Sequence, residues 1–209
     1  MKKAVLLLFF VLFTSQIFSQ IRLEKPEMYI GITGGETGSM VNFNPSVDQT
    51  YLLGNNAGAV FRYISDRNLG VQAELIYTQR GWNEAGDIFS RRLDYIELPF
   101  MTHFYAGRGF RVFFNLGPKI SYLINEKTLI DLTTESDAVQ QTQNADNKFD
   151  YGFCAGLGFL LKIKKQVFQL EARGSYSMSD VYSNNKRDYF DASNNINACV
   201  NFSWLLQLK

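Results

Sequence analysis

The feature that most constrains this chain is an alternation of apolar and polar side chains with a period of two residues. In the segment VQAELIYTQR at 71–80, Glu74 and Arg80 share one face with Gln72 and Thr78, while the opposite face is mostly apolar. Because successive side chains of a β-strand point to opposite sides, this pattern predicts a strand with one polar and one apolar face. Similar patterns and the turn signals between them predict eight strands, at 28–40, 56–64, 69–82, 93–105, 110–124, 149–161, 167–178 and 194–208.

The connections between the predicted strands alternate between short and long. Tight turns are expected at 65–68, 106–109 and 162–166. Longer polar segments lie at 41–55, 83–92, 125–148 and 179–193. An even number of strands with short turns at one end and longer loops at the other is typical of outer-membrane barrels. The predicted fold is therefore all-β, an eight-stranded antiparallel up-and-down transmembrane β-barrel with short periplasmic turns and longer extracellular loops.

Alternation alone does not decide which face of such a barrel is the interior. A soluble lipocalin-like carrier keeps its apolar face inside, and a membrane barrel keeps it outside. Here the apolar faces carry the large side chains, too many for the interior of an eight-stranded barrel. The polar faces carry glycines and charges of both signs, which can pack closely. We therefore expect the apolar faces to contact outer-membrane lipid, with a soluble periplasmic lipocalin-like carrier as the alternative.

The charged residues on the polar faces are expected to pair with one another inside the barrel. A charge in a narrow interior needs a partner, because an unpaired buried charge is costly. The predicted structural network of lumenal ion pairs consists of Glu74, Arg80, Glu97, Arg111, Lys119, Glu171 and Arg173. Since an eight-stranded barrel leaves no aqueous pore, we expect these side chains to plug the barrel. A proton or ion path through them is the alternative.

Aromatic residues lie near the predicted ends of several strands. Membrane barrels carry girdles of aromatic side chains at both membrane–water interfaces. We therefore expect girdle positions for Trp82, Tyr95, Tyr105, Tyr122, Tyr151 and Trp204.

The first 19 residues have the organisation of a secretory signal peptide. Lys2 and Lys3 form a basic start, the apolar run 4–13 follows, and Ser19 offers a small residue for cleavage before Gln20. The apolar run is shorter than the roughly 20 residues that a membrane-spanning helix needs. We predict that residues 1–19 are removed on export and that 20–209 form one barrel domain.

Charge and cysteine content exclude one class of partner and bear on a possible disulfide. The chain has 21 basic and 20 acidic residues, so it lacks the basic excess that nucleic-acid binding needs. Cys154 and Cys199 lie on predicted strands with one further strand between them. Neighbouring strands are about 4.8 Å apart, so the two cysteines are separated by about twice that distance, which exceeds the usual Cα separation of a disulfide. We expect two free thiols, with a disulfide as the alternative.

The sequence predicts no catalytic, cofactor or metal site, and hence no enzyme. A Ser–His–acid triad needs a histidine, and His103 is the only one. It shares a face with Glu97 beside a predicted periplasmic turn, which favours a lumenal hydrogen-bonding role. The glycine-rich GITGGETG lacks the Lys-Ser/Thr and the helix of a phosphate-binding loop. The acidic residues of 125–148 lack a calcium-loop pattern, so a solvated loop is expected there rather than a divalent-ion site.

Four segments resemble the PorT-like outer-membrane β-barrel domain of the Bacteroidetes. They are YIGITGGETGS, GVQAELIYTQRGW, LDYIELPFMTHFY and FFNLGPKISYLI, and the resemblance spans roughly 28–208. It implies a protein of the cell outer membrane. The namesake of that family is an accessory factor of type IX protein secretion and gliding. One departure is the end of the chain, LLQLK, because membrane barrels usually end on an aromatic residue.

The leading functional hypothesis is a small, closed, monomeric barrel without catalytic activity. In this interpretation its loops or its periplasmic face engage other molecules, which include envelope or secretion-system proteins. The alternative implied by the resemblance is an accessory component of the type IX secretion and gliding machinery.

Overall fold

The computed structural model of this chain describes residues 22–132, 140–184 and 189–208. The predicted signal peptide, residues 1–19, lies outside these ranges. The strands are β1 (Arg22–Asn44), β2 (Gln49–Thr50), β3 (Leu52–Asp66), β4 (Leu69–Glu84), β5 (Phe89–Gly107), β6 (Phe110–Asp131), β7 (Phe149–Ile163), β8 (Gln166–Asp180) and β9 (Ala192–Gln207). A single turn of 3-10 helix covers Gln140–Thr142. In the part of the chain that is described, no helix is long and apolar enough to cross a membrane.

The eight long strands close into a ring of antiparallel pairs. Each pairs with the next long strand along the chain, and β1 pairs with β9 to complete the ring. The short β2 adds two residues to the ladder of β4 beyond the end of β3. The predicted eight-stranded antiparallel barrel is confirmed.

The apolar faces of the strands point outward and the polar faces point into the lumen. Phe114 and Phe153 expose 42% and 56% of their surface, whereas Glu171 exposes 1%. Along β7 exposed and buried residues alternate almost without interruption. The alternative of a soluble carrier with an apolar interior is therefore wrong, because the large apolar side chains cover the outside of the ring.

The strands extend further at the loop end than the alternation predicts. The predicted long loop 83–92 is a connection of only 85–88, and β6 continues to Asp131. In this extension β5 and β6 still pair, with Arg92 opposite Lys127 and Leu93 opposite Glu126. Polar residues occupy both faces there, so the alternation that marks the rest of the barrel fades.

Two apolar clusters close the interior at its two ends. The loop-end cluster consists of Val41, Phe43, Trp82, Phe89, Leu93, Tyr95, Leu123, Ala145, Val181, Tyr182 and Phe190. The turn-end cluster, beside the short turns, consists of Tyr29, Val60, Ile64, Tyr105, Phe113, Leu160, Val167 and Leu205. Polar side chains fill the layer between them. On β6 the inward residues pass from Phe113 through Asn115 and Lys119 to Leu123, which shows this order.

The predicted girdle positions are correct for three of the six aromatic residues and wrong for the other three. Tyr122, Tyr151 and Trp204 are exposed on the outside, whereas Trp82, Tyr95 and Tyr105 are buried in the two clusters. Strand parity explains the error. Trp82 lies an even number of residues from Arg80 on β4, and Tyr105 an even number from Glu97 on β5, so each shares the inward face of that charged residue.

Candidate functional site

The candidate site is the polar layer of the lumen, which contains two groups of four charged side chains. The first group lies nearer the turn end and is organised around Arg173 on β8. Arg173 donates two hydrogen bonds to Glu74, both of 2.7 Å, and two to Glu171, of 2.9 and 3.2 Å. The fork of the guanidinium matches a carboxylate in this paired geometry. Glu171 lies on β8 together with Arg173, whereas Glu74 lies on β4. The contact between Arg173 and Glu74 therefore joins opposite walls of the barrel.

A second guanidinium joins the same group through two glutamines. Arg62 donates to Oε1 of Gln72, with 2.8 Å from its Nε, and also to Oε1 of Gln169. The amide of Gln72 in turn donates to Glu74, and the amide of Gln169 donates to Glu171 at 3.1 Å. These contacts close a hydrogen-bonded ring, here called the central ring, formed by Arg62, Gln72, Glu74, Arg173, Glu171 and Gln169.

The central ring is electrically neutral, with two guanidinium groups and two carboxylates. The two glutamines carry no charge, yet they pass hydrogen bonds from Arg62 to carboxylates that Arg62 does not contact directly. A neutral, fully bonded group avoids the cost of an unpaired charge in a dry interior.

A branch from the central ring reaches the single histidine. Asn115 donates from Nδ2 to Glu171 at 2.9 Å, so its Oδ1 faces Nδ1 of His103, 2.7 Å away. Since Oδ1 accepts, Nδ1 of His103 carries the proton in this arrangement. The imidazole is fully buried and packs against Tyr105 and Phe113. The predicted lumenal hydrogen-bonding role of His103 is confirmed.

The second charged group lies nearer the loop end, and the formal charges of its side chains also balance. This upper tetrad consists of Arg80, Glu97, Lys119 and Asp150. Lys119 lies 3.4 Å from Glu97 and 3.3 Å from Asp150, and Arg80 pairs with Glu97 and lies 3.0 Å from Asp150. The hydroxyls of Ser177 and Ser179 donate to Asp150 and those of Ser121 to Glu97.

One predicted member of the network lies apart from the others. Arg111 is at the turn end, where its Nη1 is 3.5 Å from Glu27 and its guanidinium lies over the ring of Tyr105. Lys162 contacts the same carboxylate at 2.8 Å. Arg111 therefore belongs to a separate rim group, because it is the second residue of β6 and cannot reach the polar layer.

The other six predicted residues are all buried inside the barrel, and they fall into the two groups instead of one ladder. The prediction omitted Arg62, which lies on a strand where alternation is weak, and Asp150, which shares the inward face of Gly152 and Cys154. It also omitted Gln72 and Gln169, because neutral residues give no charge signal. Strand parity could have identified Asp150 and both glutamines.

A small cavity lies between the central ring and the upper tetrad. Its volume is about 20 Å³, room for about one water molecule, and Arg80, Glu97 and Arg173 contribute to its wall. The side-chain oxygens of Asn56, Asn197 and Asn201, which also line it, have no hydrogen-bond partner in the described structure.

The described residues include two free cysteines and no cluster of candidate metal ligands. Among residues 22–132, 140–184 and 189–208, no group of three or more His, Cys, Asp or Glu side chains could hold a metal ion. Cys154 and Cys199 are free, on β7 and β9 with β8 between them. Of the acidic residues in 125–148, Glu135 and Asp137 lie outside the described residues. Asp146 accepts a hydrogen bond from the backbone of Ser183 at 2.8 Å.

Ordered loop segments cover the loop-end cluster. Gln140 accepts hydrogen bonds from the backbone of Tyr189 and Phe190 at 3.0 and 3.1 Å and donates to Ser183, which joins the two long loops. Arg91 on β5 binds the carbonyls of Thr142 and Gln143. Burial raises the pKa of the Tyr182 hydroxyl above its ordinary value, so it stays a donor, here to the carbonyl of Gln143 at 3.1 Å.

Comparisons with known proteins gave one family match and several similar solved structures. The sequence model of the family described as "Outer membrane protein beta-barrel domain" matches residues 18–183. Among solved structures, the chain is similar to Ail, the attachment invasion locus protein of Yersinia pestis, with 16% identity and a TM-score of 0.45 over 86% of this chain and 99% of that one. It is also similar to Neisserial surface protein A, with 9% identity and a TM-score of 0.49 over 88% of this chain and 99% of that one. A third similar structure is OprG of Pseudomonas aeruginosa, with 10% identity and a TM-score of 0.47 over 88% of this chain and 95% of that one.

A search of the curated proteins gave no match. The family match nevertheless covers most of the chain, including β1 to β8. The closed ring of strands with apolar side chains outside is the structure that such a family requires. This protein therefore belongs to the outer membrane β-barrel domain family and resides in the outer membrane.

Proposed function

We propose that this protein is a closed, monomeric barrel without catalytic activity, whose loops or periplasmic face engage other envelope proteins. The observation that carries this proposal is the filling of the lumen from end to end. Two apolar clusters enclose two groups of charged side chains, and the cavity between those two groups has room for about one water molecule. In this proposal the charged groups hold the walls together and transport nothing.

The absence of catalysis in this proposal is supported by the state of the polar side chains. His103 has Nδ1 bonded to Asn115 and lies between aromatic rings at the closed turn end. The carboxylates of the central ring are occupied by Arg173 and the two glutamines. A catalytic base must be within reach of its substrate, and these groups are sealed from both ends.

Conductance across planar lipid bilayers tests the closed state. The full-length protein should give no steady unit conductance, whereas a pore-forming porin reconstituted in the same way should give one. A stable conductance of constant size from this protein would overturn the closed-barrel proposal.

We also propose the orientation and processing that the sequence predicts, with residues 1–19 removed and the long loops outside the cell. Support comes from the start of β1 and the end of β9, which meet at the turn end, where Leu208 bonds to Met28. Protease treatment of intact cells should cleave within 125–148. Cleavage confined to the short turns 67–68, 108–109 and 164–165 would reverse the orientation. The mass of the purified protein should correspond to a start at Gln20.

A second candidate function is an accessory role in type IX secretion and gliding. It is supported by the resemblance of four segments to the PorT-like domain of the Bacteroidetes. Deletion of the gene should then abolish gliding and the secretion of type IX substrates. Normal secretion and gliding in the deletion strain would exclude this role and leave the first proposal intact.

A further inference from the structure

One acidic side chain lies on the outside of the barrel, among residues that face lipid. The outward positions of β1 between its two ends are Ile30, Ile32, Gly34, Glu36, Gly38 and Met40. Glu36 is exposed and, within the described part of the chain, its side chain makes no hydrogen bond or ion pair. At the corresponding outward positions of the other seven long strands, all of them described, the residues are uncharged.

Glu36 lies near the middle of the lipid-facing band. It is six residues from Ile30, about 20 Å along the strand, and a strand tilt near 45° makes this about 14 Å along the membrane normal. The apolar band of such barrels is about 25 Å high. Val200, the partner of Glu36 on β9, has Leu206 and Ile196 on its two sides, which places it centrally as well.

Small residues occupy several of the outward positions around Glu36, between the larger Leu53, Val200 and Phe202. Gly34 and Gly38 flank it on β1, Ala57 lies diagonally on β3 and Ala198 on β9. A Cβ on Gly34 or Gly38 would meet no atom closer than 3.4 or 3.9 Å, so packing within the barrel does not require glycine there. The inward Gly35 is different, since its Cβ would collide with the backbone of Val200. The outward glycines thus leave a shallow depression around a carboxylate.

A carboxylate in this position is unfavourable unless something pairs with it. Ionisable groups at the centre of a bilayer are costly, and they normally face a partner or a water-filled space. Glu36 faces neither in the isolated chain. Asn55, directly opposite on β3, adds a second polar side chain at the same place. Charge complementarity therefore calls for a cation at the same depth.

We propose that this wall, formed by Gly34, Glu36, Gly38, Asn55, Ala57 and Ala198, docks a membrane-spanning segment of another outer-membrane protein that presents an arginine or lysine to Glu36. A second copy of this chain does not fit, because a two-fold contact here would bring two carboxylates together. The outward positions at this level supply no lysine or arginine to separate them. The docking wall is distinct from the loops and the periplasmic face, so this inference goes beyond the proposed function.

Labelling with dicyclohexylcarbodiimide, which reacts with carboxyl groups in apolar surroundings, tests whether Glu36 is accessible in the isolated protein and covered in the native membrane. In the purified full-length protein in detergent micelles, Glu36 should be labelled at least five-fold more than in native outer membranes, where the partner covers it. The variant Glu36→Gln should not be labelled, which would identify Glu36 as the labelled residue. Equal labelling in both preparations, or no labelling of Glu36 in micelles, would overturn the inference.

Photo-crosslinking in intact cells tests the partner. A benzophenone side chain at position 57 or 198 should give a product with another protein, and Glu36→Gln should reduce that product at least five-fold. The same probe at Ile120, on the opposite wall of the ring, should give none. The cross-linked peptide should come from a membrane-spanning segment containing Arg or Lys.

Three results of the crosslinking would overturn the inference. They are products with lipid alone, a product with the mass of two copies of this chain, and a product that Glu36→Gln leaves unchanged. None of them bears on the closed barrel, which the conductance measurement tests separately.

Discussion

Glu74 shows how much a single side chain contributes to the interior of this barrel. It accepts two hydrogen bonds from Arg173 and one from Gln72, and it balances one of the two guanidinium groups of the central ring. Both members of the pair are almost fully shielded from solvent. Its loss would leave three charges, two positive and one negative, in a space that cannot rehydrate them.

Replacing Glu74 by glutamine tests the central ring, because it removes the charge and keeps the shape. Breaking a buried pair by neutralising one partner costs about 3–5 kcal/mol. We expect a loss of that size in the free energy of unfolding, measured by urea titration in phospholipid vesicles. Glu36→Gln is the matched control, with the same chemical change on the outside, and should not destabilise the isolated barrel. A loss below about 1 kcal/mol for Glu74→Gln, as for an exposed pair, would contradict the ring.

The sequence predicts which side of a strand such a residue occupies, but not which residue it meets. Parity places Glu74 and Arg173 inside because the side-chain period of a strand is two. Their contact, however, depends on the register of every strand between β4 and β8 and on the lengths of both side chains. The role of the glutamines depends on the same geometry, since nothing in their own sequence context marks them as links between charges.

At the scale of the strand, the inner and outer faces impose opposite demands on neighbouring residues. Alternation identified all eight barrel strands, because lipid outside and a packed polar lumen inside act on alternate positions. It underestimated their length at the loop end, where β5 and β6 pair above the apolar band and water contacts the outer face. Arg91 and Glu126, for example, lie 3.8 Å apart in this extension, and no apolar period marks either.

Two successive glycines of β1, Gly34 on the outer face and Gly35 on the inner face, show this difference between the faces. A Cβ at Gly35 would collide with the backbone of Val200, whereas a Cβ at Gly34 would meet only the carbonyl oxygen of Asn56, at 3.4 Å. Overpacking costs about 1–3 kcal/mol, so Gly35→Ala should lower the free energy of unfolding by that amount. Gly34→Ala should change it by less than about 0.5 kcal/mol. Urea unfolding of both variants in vesicles checks this, and equal effects would contradict the opposite facing.

The outer face of β7 offers a test of depth. Leu157 lies near the middle of the outward positions of β7 and is 64% exposed, whereas Ile163 is the last residue of the strand. Leu157→Arg should cost about 2–4 kcal/mol, and Ile163→Arg about 0–1 kcal/mol, because the penalty for a cation falls from the midplane to the interface. Unfolding in vesicles measures both, and similar costs at the two positions would mean that β7 does not cross the bilayer as described.

The interior of the whole molecule is a series of layers, and we expect the barrel to stay closed when one of these layers is disrupted. From the loop end these are the ordered loops, the loop-end cluster, the upper tetrad, the central ring and the turn-end cluster. Apolar ends keep water away from the charged layers, which strengthens the ion pairs between strands. The charged layers in turn connect walls that backbone pairing alone does not join, such as β4 and β8 through Glu74 and Arg173.

Trp82 provides the test at this scale, because it lies at the centre of the loop-end cluster. Its ring packs edge-on against Phe43 at 5.4 Å and contacts Phe89 and Tyr182, so Trp82→Ala should cost about 3–5 kcal/mol. The same variant should still give no steady conductance in planar bilayers, since the upper tetrad, the central ring and the turn-end cluster remain in place. A constant unit conductance from Trp82→Ala would show that the loop-end cluster alone closes the barrel and that the charged layers are permeable.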